Sequence, residues 1–223
     1  MIVTDLGTMP YRDAWREQER VHEEVVAGGP ERLLLVEHPP VITFGRRAGV
    51  ERNLLASDEQ LAKLGVEVVP SDRGGDITFH GPGQIVAYPI VRLNDHGLSV
   101  GGYVRTLERA VIEALSDFGI PARKDDCAVG VWVDDGSGTN TLAKVCAIGV
   151  RIRRGVSLHG LALNVTTDLN YFNLIVPCGL HCRPVTSVHK ILGDDAPDID
   201  AVKRVLGRRL GSSLAPAGVL TPQ

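Results

Sequence analysis

Two residue types in this chain combine nucleophilic attack with proton transfer. They are four cysteines, Cys127, Cys146, Cys178 and Cys182, and five lysines, Lys63, Lys124, Lys144, Lys190 and Lys203. A thiolate attacks carbonyl carbon, and a nearby cation helps a thiol of ordinary pKa about 8.5 to ionise. Cys178 stands in IVPCGLHCRPVTS, between a proline and a glycine at the end of an apolar run. A loop position followed by glycine favours an exposed sulfur, with backbone N–H groups near it to stabilise an oxyanion. The competing reading for any single cysteine is a buried, inert thiol. Lys144, in TLAKVCAIGVRI, opens a strand that is otherwise apolar for several residues. It either runs its stem out to solvent or serves as a charged partner for a thiol. Cys182 competes with Cys178 from only four residues on. Cys178, His181 and Cys182 also offer metal-ligand types, but no second pair such as Cys-x-x-Cys accompanies them, so no metal is expected.

The stretch that must position such chemistry is residues 73–88, RGGDITFHGPGQIVAY. Glycine at this density marks backbone that bends sharply or allows another chain to approach closely. Polar residues Arg73, Asp76, Thr78, His80 and Gln84 lie among the glycines, and the segment runs straight into the β-branched QIVAYPIVRL. A near-continuous apolar run of that kind reads as a buried strand, so the glycine-rich part is an ordered loop wedged against a core.

Arg-Gly-Gly, Thr-Phe-His, Gly-Pro-Gly-Gln and Tyr88, in that order, resemble the signature of the bacterial lipoyl-protein octanoyltransferases, and the similarity extends over residues 33–184. The resemblance implies transfer of an octanoyl group from octanoyl-acyl carrier protein to a lysine of a lipoyl domain. The implied acceptors are the lipoyl domains of 2-oxoacid dehydrogenase E2 subunits and the glycine cleavage H protein, and no cofactor is implied. Carried over, Cys178 in its Pro-Cys-Gly context is the acyl-accepting nucleophile, and Lys144 in its Lys-Val-x-x-Ile-Gly segment is its dyad partner. Arg73, Gly74, Gly75, Asp76, Ile77, Thr78, Phe79 and His80, with Ala147, Ile148, Gly149, Gly160, Leu161 and Ala162, match stretches that line the family's substrate pocket. Small residues there let a straight alkyl chain lie against backbone. His80 stands equally as a structural histidine, and His159 reads as structural or supporting.

The elements around these residues follow from periodicity and punctuation. Residues 2–6 read as a strand, and residues 11–27 as a helix with Thr8 as its cap, Pro10 in its first turn and Gly28-Gly29 as its stop. Its apolar stripe is Tyr11, Ala14, Trp15, Val21 and Val25. Residues 33–37 and 41–44 read as strands, and Ser57 with Gln60 as a capping box for a short helix ending at Gly65. After a strand over residues 84–93, Ser99 caps a core helix running to residue 118 and buried along Tyr103, Leu107, Val111, Leu115 and Phe118. Strands are expected at 128–133, 142–152 and 156–165, a helical turn at 168–174, and a last helix capped by Asp198. Consecutive strands with short turns predict an α+β fold with a mixed, largely antiparallel sheet and packed helices. The resemblance implies the same, a fold similar to the catalytic domain of biotin and lipoate protein ligases. Residues 1–211 read as one domain and 212–223 as a loosely attached tail.

Composition excludes several classes. A chain of 223 residues, 43% hydrophobic and 23% charged, can bury a full core in one domain. No apolar run approaches the length of a membrane span, and no secretory signal is visible, so a cytoplasmic address is expected. A formal net charge of −3 argues against nucleic-acid binding. Four scattered cysteines do not make a disulfide scaffold. Two readings compete with octanoyl transfer. An ATP-dependent lipoate or biotin ligase on the same fold would not need Cys178. A non-catalytic module that holds acyl carriers would tolerate loss of both Cys178 and Lys144.

Overall fold

The computed structural model describes residues 1–138, 141–176 and 183–215. In chain order the first elements are β1 (Ile2–Thr8), α1 (Tyr11–Val26), β2 (Arg32–Glu37), β3 (Val41–Phe44), α2 (Asp58–Leu64), β4 (Glu67–Pro70) and β5 (Thr78–His80). They are followed by β6 (Gln84–Ile90), α3 (Val100–Ser116), β7 (Ala122–Arg123), β8 (Val131–Asp134), β9 (Leu142–Arg153) and β10 (Val156–Asn164). After a 3-10 segment at Leu169–Leu174 come α4 (Val188–Leu192) and α5 (Ile199–Ser213).

Two sheets result. A seven-stranded sheet has the order β1-β2-β6-β10-β9-β8-β7, and a three-stranded sheet the order β4-β3-β5. The β1–β2 and β3–β4 pairs are parallel, and the other pairs are antiparallel. The expected mixed, largely antiparallel α+β fold is therefore the one observed. Every residue of β6 and β10 is buried, because these central strands are covered on both faces. On one face α3 and α5 pack Leu107, Val111, Leu115, Leu206 and Leu210 against Leu33, Ile85, Leu161 and Leu163. On the other, α1 packs Ala14, Val21 and Val25 against Leu34, Val36, Val86 and Ala162. Each such aliphatic side chain contributes about 1.5–3 kcal/mol when fully withdrawn from water. The small sheet lies on the α1 side, where Tyr11 meets Val41 and Val69.

Several boundaries differ from those read off the sequence, each for a local reason. Thr8 does not cap α1: it is the last residue of β1, paired with Glu37, and Pro10 is the N-cap without a side-chain bond. β6 ends at Ile90, and Leu93–His96 turns into a 3-10 segment. β8 begins at Val131, because Gly130 at φ 131° takes the chain out of the extended region. α3 stops at Ser116. α5 continues to Ser213, and Leu214 is buried in the main core, so the well-packed part of the chain runs past residue 211. The capping box of Ser57 and Gln60, the left-handed Gly65 and the caps Ser99 and Asp198 are present as expected.

Candidate active site

Between the α1 face of the large sheet and the loop before β5 lies a cavity of about 400 Å³. Arg73, Gly74, Gly75, Asp76, Ile77, Thr78 and His80 line it from the loop and β5. Lys144, Ala147, Ile148 and Gly149 line it from β9, and Gly160, Leu161 and Ala162 from β10. Phe79 differs from the expectation. Side chains alternate along β5, so Thr78 and His80 face the cavity while Phe79 turns to the opposite side. There it stacks on Tyr171 at 4.7 Å and meets Phe172 edge-on at 5.6 Å. Cys178 and Cys182 lie outside the described residues.

Glycine is needed where the cavity wall is a contact between backbones. Gly74 N–H donates to the Val150 carbonyl at 3.0 Å, and a Cβ on Gly149 would stand 2.9 Å from the Gly74 carbonyl oxygen. The Arg-Gly-Gly loop can therefore lie directly on β9. At Gly160 a Cβ would come within 2.0 Å of the Ala87 carbonyl oxygen, so β10 and β6 close here only without a side chain. Asp76 staples the loop. Its carboxylate accepts from Asn53 Nδ2 at 2.8 Å and from its neighbour's Ile77 N–H at 2.7 Å, and Arg47 reaches it at 3.3 Å. Arg73, largely buried, donates to the Thr43 carbonyl at 2.7 Å and to Thr43 Oγ1 at 3.0 and 3.2 Å.

A chain of amides fixes the tautomer of His80. Asn164 Nδ2 donates to the Thr186 carbonyl at 3.0 Å, which leaves Asn164 Oδ1 to accept from Gln84 Nε2 at 2.8 Å. Gln84 Oε1 is then the acceptor facing His80 Nδ1 at 2.7 Å, so the ring carries its proton on Nδ1 and presents Nε2 toward Thr43. Burial holds His80 well below the usual histidine range, and the neighbouring His38 and Arg73 add to the effect. His38 is pushed down to about 4 by burial; its Nδ1–H donates to the Met9 carbonyl, and Tyr88 O–H donates to its Nε2. Tyr11 stacks on His80 with centroids 5.8 Å apart. The cavity's histidines are neutral at physiological pH.

His159 sits in β10 at φ 58°, a left-handed conformation that non-glycine residues seldom adopt. Its N–H is taken by Gln18 of α1 at 2.9 Å, and its Nε2 lies 2.6 Å from Asp72, which also pairs with Arg151. Burial pushes this imidazole down to about 3. Sequence reasoning assigns no acid partner to a histidine, because Asp72 precedes the Arg-Gly-Gly motif and lies far along the chain from His159.

Lys144 does not run out to solvent. It is 7% exposed, and its Nζ donates to the Val129 carbonyl at 3.1 Å and lies 4.7 Å from the centre of the Trp132 ring. Arg183 also lies over Trp132, at 5.0 Å, while pairing with Asp125. The backbone on either side of residues 177–182 is pinned. Val176 N–H donates to the Asn53 carbonyl at 2.7 Å, and beyond the segment Val185 bridges to Lys144. Lys144 N–H donates to the Pro184 carbonyl and its own carbonyl accepts from Thr186, both at 2.9 Å. Cys146, by contrast, is buried within β9, and burial pushes its thiol up to about 12, which suits an inert core residue. Cys127 is exposed and lines the cavity. Among the described residues no cluster of His, Cys, Asp and Glu is arranged to hold a metal ion.

Comparison with known proteins places this geometry. The model of the lipoyl protein ligase A/B catalytic domain matches residues 10–211. An octanoyltransferase of Roseiflexus sp. (strain RS-1) is 46% identical over 224 residues, 99% of this chain and 91% of its own length. One from Bacteroides fragilis (strain ATCC 25285) is 43% identical, covering 96% of this chain and 97% of its own. Among solved structures, lipoate-protein ligase A bound with ATP superposes with a TM-score of 0.76 at 19% identity, over 96% of this chain and 85% of the other. The biotin protein ligase of Aquifex aeolicus gives 0.53 at 15%, over 96% and 68%. At these identities the two ligases establish a shared fold, while the octanoyltransferases establish kinship.

Proposed function

This chain belongs to the lipoyl protein ligase A/B catalytic domain family and, within it, to the octanoyltransferases, a group of acyltransferases; from that premise we propose that it moves an octanoyl group from octanoyl-acyl carrier protein to a lipoyl-domain lysine through a thioester on Cys178. The observation that supports this most is the burial of Lys144 in the wall of an apolar cavity, next to the chain that follows Cys178. A lysine ammonium is withdrawn from water only where it is used or compensated.

The first half is an exchange of thioesters. The Cys178 thiolate attacks the octanoyl carbonyl, the bond to the carrier's sulfur breaks, and Lys144 gives its proton to the departing carrier thiolate. In the second half the acceptor lysine, as its neutral amine, attacks the Cys178 thioester. Lys144, now an amine, takes the proton that the new amide sheds, and Cys178 leaves as thiolate. Dividing one transfer into two in this way needs no nucleotide and gives ping-pong kinetics. The cavity of Ala147, Gly149, Gly160 and Ala162 holds the alkyl chain, and with the histidines neutral the positive charges lining the site are Arg47, Arg73 and Lys144, of which Arg47 pairs with Asp76. The acceptors are the lipoyl domains of 2-oxoacid dehydrogenase E2 subunits and the glycine cleavage H protein, and the setting is the cytoplasm. Among the described residues no helix is long and apolar enough to cross a membrane.

The test is transfer from octanoyl-carrier to a lipoyl domain in the absence of nucleotide. Octanoylated domain forming without ATP or pyrophosphate release is the expected result. A strict requirement for ATP with free octanoate would place the chain with the ligases.

A further inference from the structure

The cavity wall nearest Lys144 is the loop between β7 and β8. At its inner end the Val129 carbonyl holds the Lys144 ammonium at 3.1 Å. Cys127, Ala128 and Val129 line the cavity, and Val129 is 52% exposed, which makes this wall part of the cavity's mouth. At its outer end Lys124 joins Arg105 and Arg109 of α3 around a separate depression of about 390 Å³. The same loop therefore reaches both hollows, through Lys124 on one side and Cys127, Ala128 and Val129 on the other.

Among the described residues the three cations around this depression meet no carboxylate at hydrogen-bond distance. Arg12, Arg20, Arg92 and Arg209 each meet a carboxylate at hydrogen-bond distance. Among the described residues Arg105 and Lys124 make no ion pair, and Arg109 reaches Glu113 only at 3.9 Å, a carboxylate that Arg209 shares. Like charges gathered around one hollow repel, and an anionic partner relieves that repulsion. Arg105 and Arg109 lie one helical turn apart on the same face of α3, so they present a paired target for carboxylates.

We propose that this depression is the docking site of the acyl donor, an acidic carrier protein whose arm crosses the Cys127–Val129 wall to deliver the acyl group beside Lys144. The inference rests on the octanoyl-transfer reading and names where one of its two partners sits. The donor fits better than the acceptor for a reason of reach. A protein acceptor brings its amine on one lysine side chain and must seat itself over the mouth. A carrier's long, flexible arm lets its body stand on the other side of the loop.

The experiment uses the full chain carrying Arg105→Glu, Arg109→Glu and Lys124→Glu together, with Arg109→Gln alone as a milder variant. Transfer to a lipoyl domain is measured from two donors, octanoyl-carrier and a small octanoyl thioester that lacks any protein. With octanoyl-carrier, the triple variant is expected to lose at least about tenfold in kcat/KM, mainly through KM, and Arg109→Gln a smaller share in the same direction. The rate from the small thioester and the KM for the lipoyl domain stay within about twofold of wild type, and the salt dependence of the carrier reaction flattens. Unchanged kinetics with octanoyl-carrier would overturn the inference while leaving octanoyl transfer standing. So would a rise in KM for the lipoyl domain alone, which would make this the acceptor's seat. A wild-type protein that transfers from neither donor would overturn the inference and the octanoyl-transfer reading together.

Discussion

The ammonium of Lys144 lies 3.1 Å from the carbonyl oxygen of Val129, so the loop from β7 to β8 fixes the position of the one charged side chain that β9 sends into the cavity from its apolar half. Backbone and aromatic ring together hold the group: Trp132 lies under it, and the Val129 carbonyl accepts its hydrogen bond. This constraint separates the roles that arginine and alanine can play in its place.

Lys144→Arg keeps a cation but removes a group able to take up a proton, since the guanidinium stays charged throughout the accessible pH range. Acylation of Cys178 should survive in part, while transfer to the lipoyl-domain lysine falls by about two or more orders of magnitude, the size of a general-base contribution. Single-turnover mass spectrometry of each half-reaction makes the comparison, with circular dichroism as the check on folding. Near wild-type rates in both halves would remove Lys144 from the chemistry.

The amide relay from His80 through Gln84 and Asn164 to the Thr186 carbonyl ties the glycine-rich loop to the chain beside Lys144. Asn164→Asp removes the donor to Thr186 while still accepting from Gln84. Leaving that carbonyl without its partner costs about 1–3 kcal/mol. The expected outcome is a loss of that size in urea unfolding, together with a lower kcat at little-changed KM. A fully active, fully stable Asn164→Asp protein would show that the relay positions nothing.

Gly160→Ala places a methyl within 2.0 Å of the Ala87 carbonyl oxygen, between two backbones that have no flexible end to yield. The sheet must open between β6 and β10, and a loss of about 3 kcal/mol or more is expected, at the upper end of overpacking costs. Thermal unfolding measures it directly.

How much of this was legible in the sequence depends on the range of the interaction. Residues 73–84, the helix along Tyr103, Leu107 and Val111, and the caps Ser57, Ser99 and Asp198 announce themselves through glycine density, helical spacing and local hydrogen bonding. Alternation along β5 also held the sign that Phe79 turns away from Thr78 and His80. What local pattern could not carry was pairing between distant segments. Nothing near His159 marks Asp72 as its partner, and Gln18 reads as a solvated helix residue until β10 needs an acceptor for the His159 N–H. The division into two sheets is of the same kind, because strand pairing is decided by burial across the whole chain.

The buried histidines give the fold an acid limit. The His38 imidazole has its folded pKa lowered to about 4 by burial, against about 6.5 unfolded. The unfolded chain therefore binds the extra proton first, and stability present above pH 6.5 is lost as pH falls toward 4. At pH 4.5 this group alone accounts for about 2–3 kcal/mol. Urea unfolding at pH 7 and pH 4.5 should show a smaller difference in His38→Gln than in wild type. An equal difference would mean that His38 is charged in the fold.

The central claim, a thioester on Cys178, is tested most directly by intact-mass measurement after mixing with octanoyl-carrier in the absence of an acceptor. The account predicts a gain of one octanoyl group that hydroxylamine removes, that persists in Cys182→Ala and that Cys178→Ala does not acquire. An unmodified wild-type chain, or an octanoyl group still gained by Cys178→Ala, would contradict it.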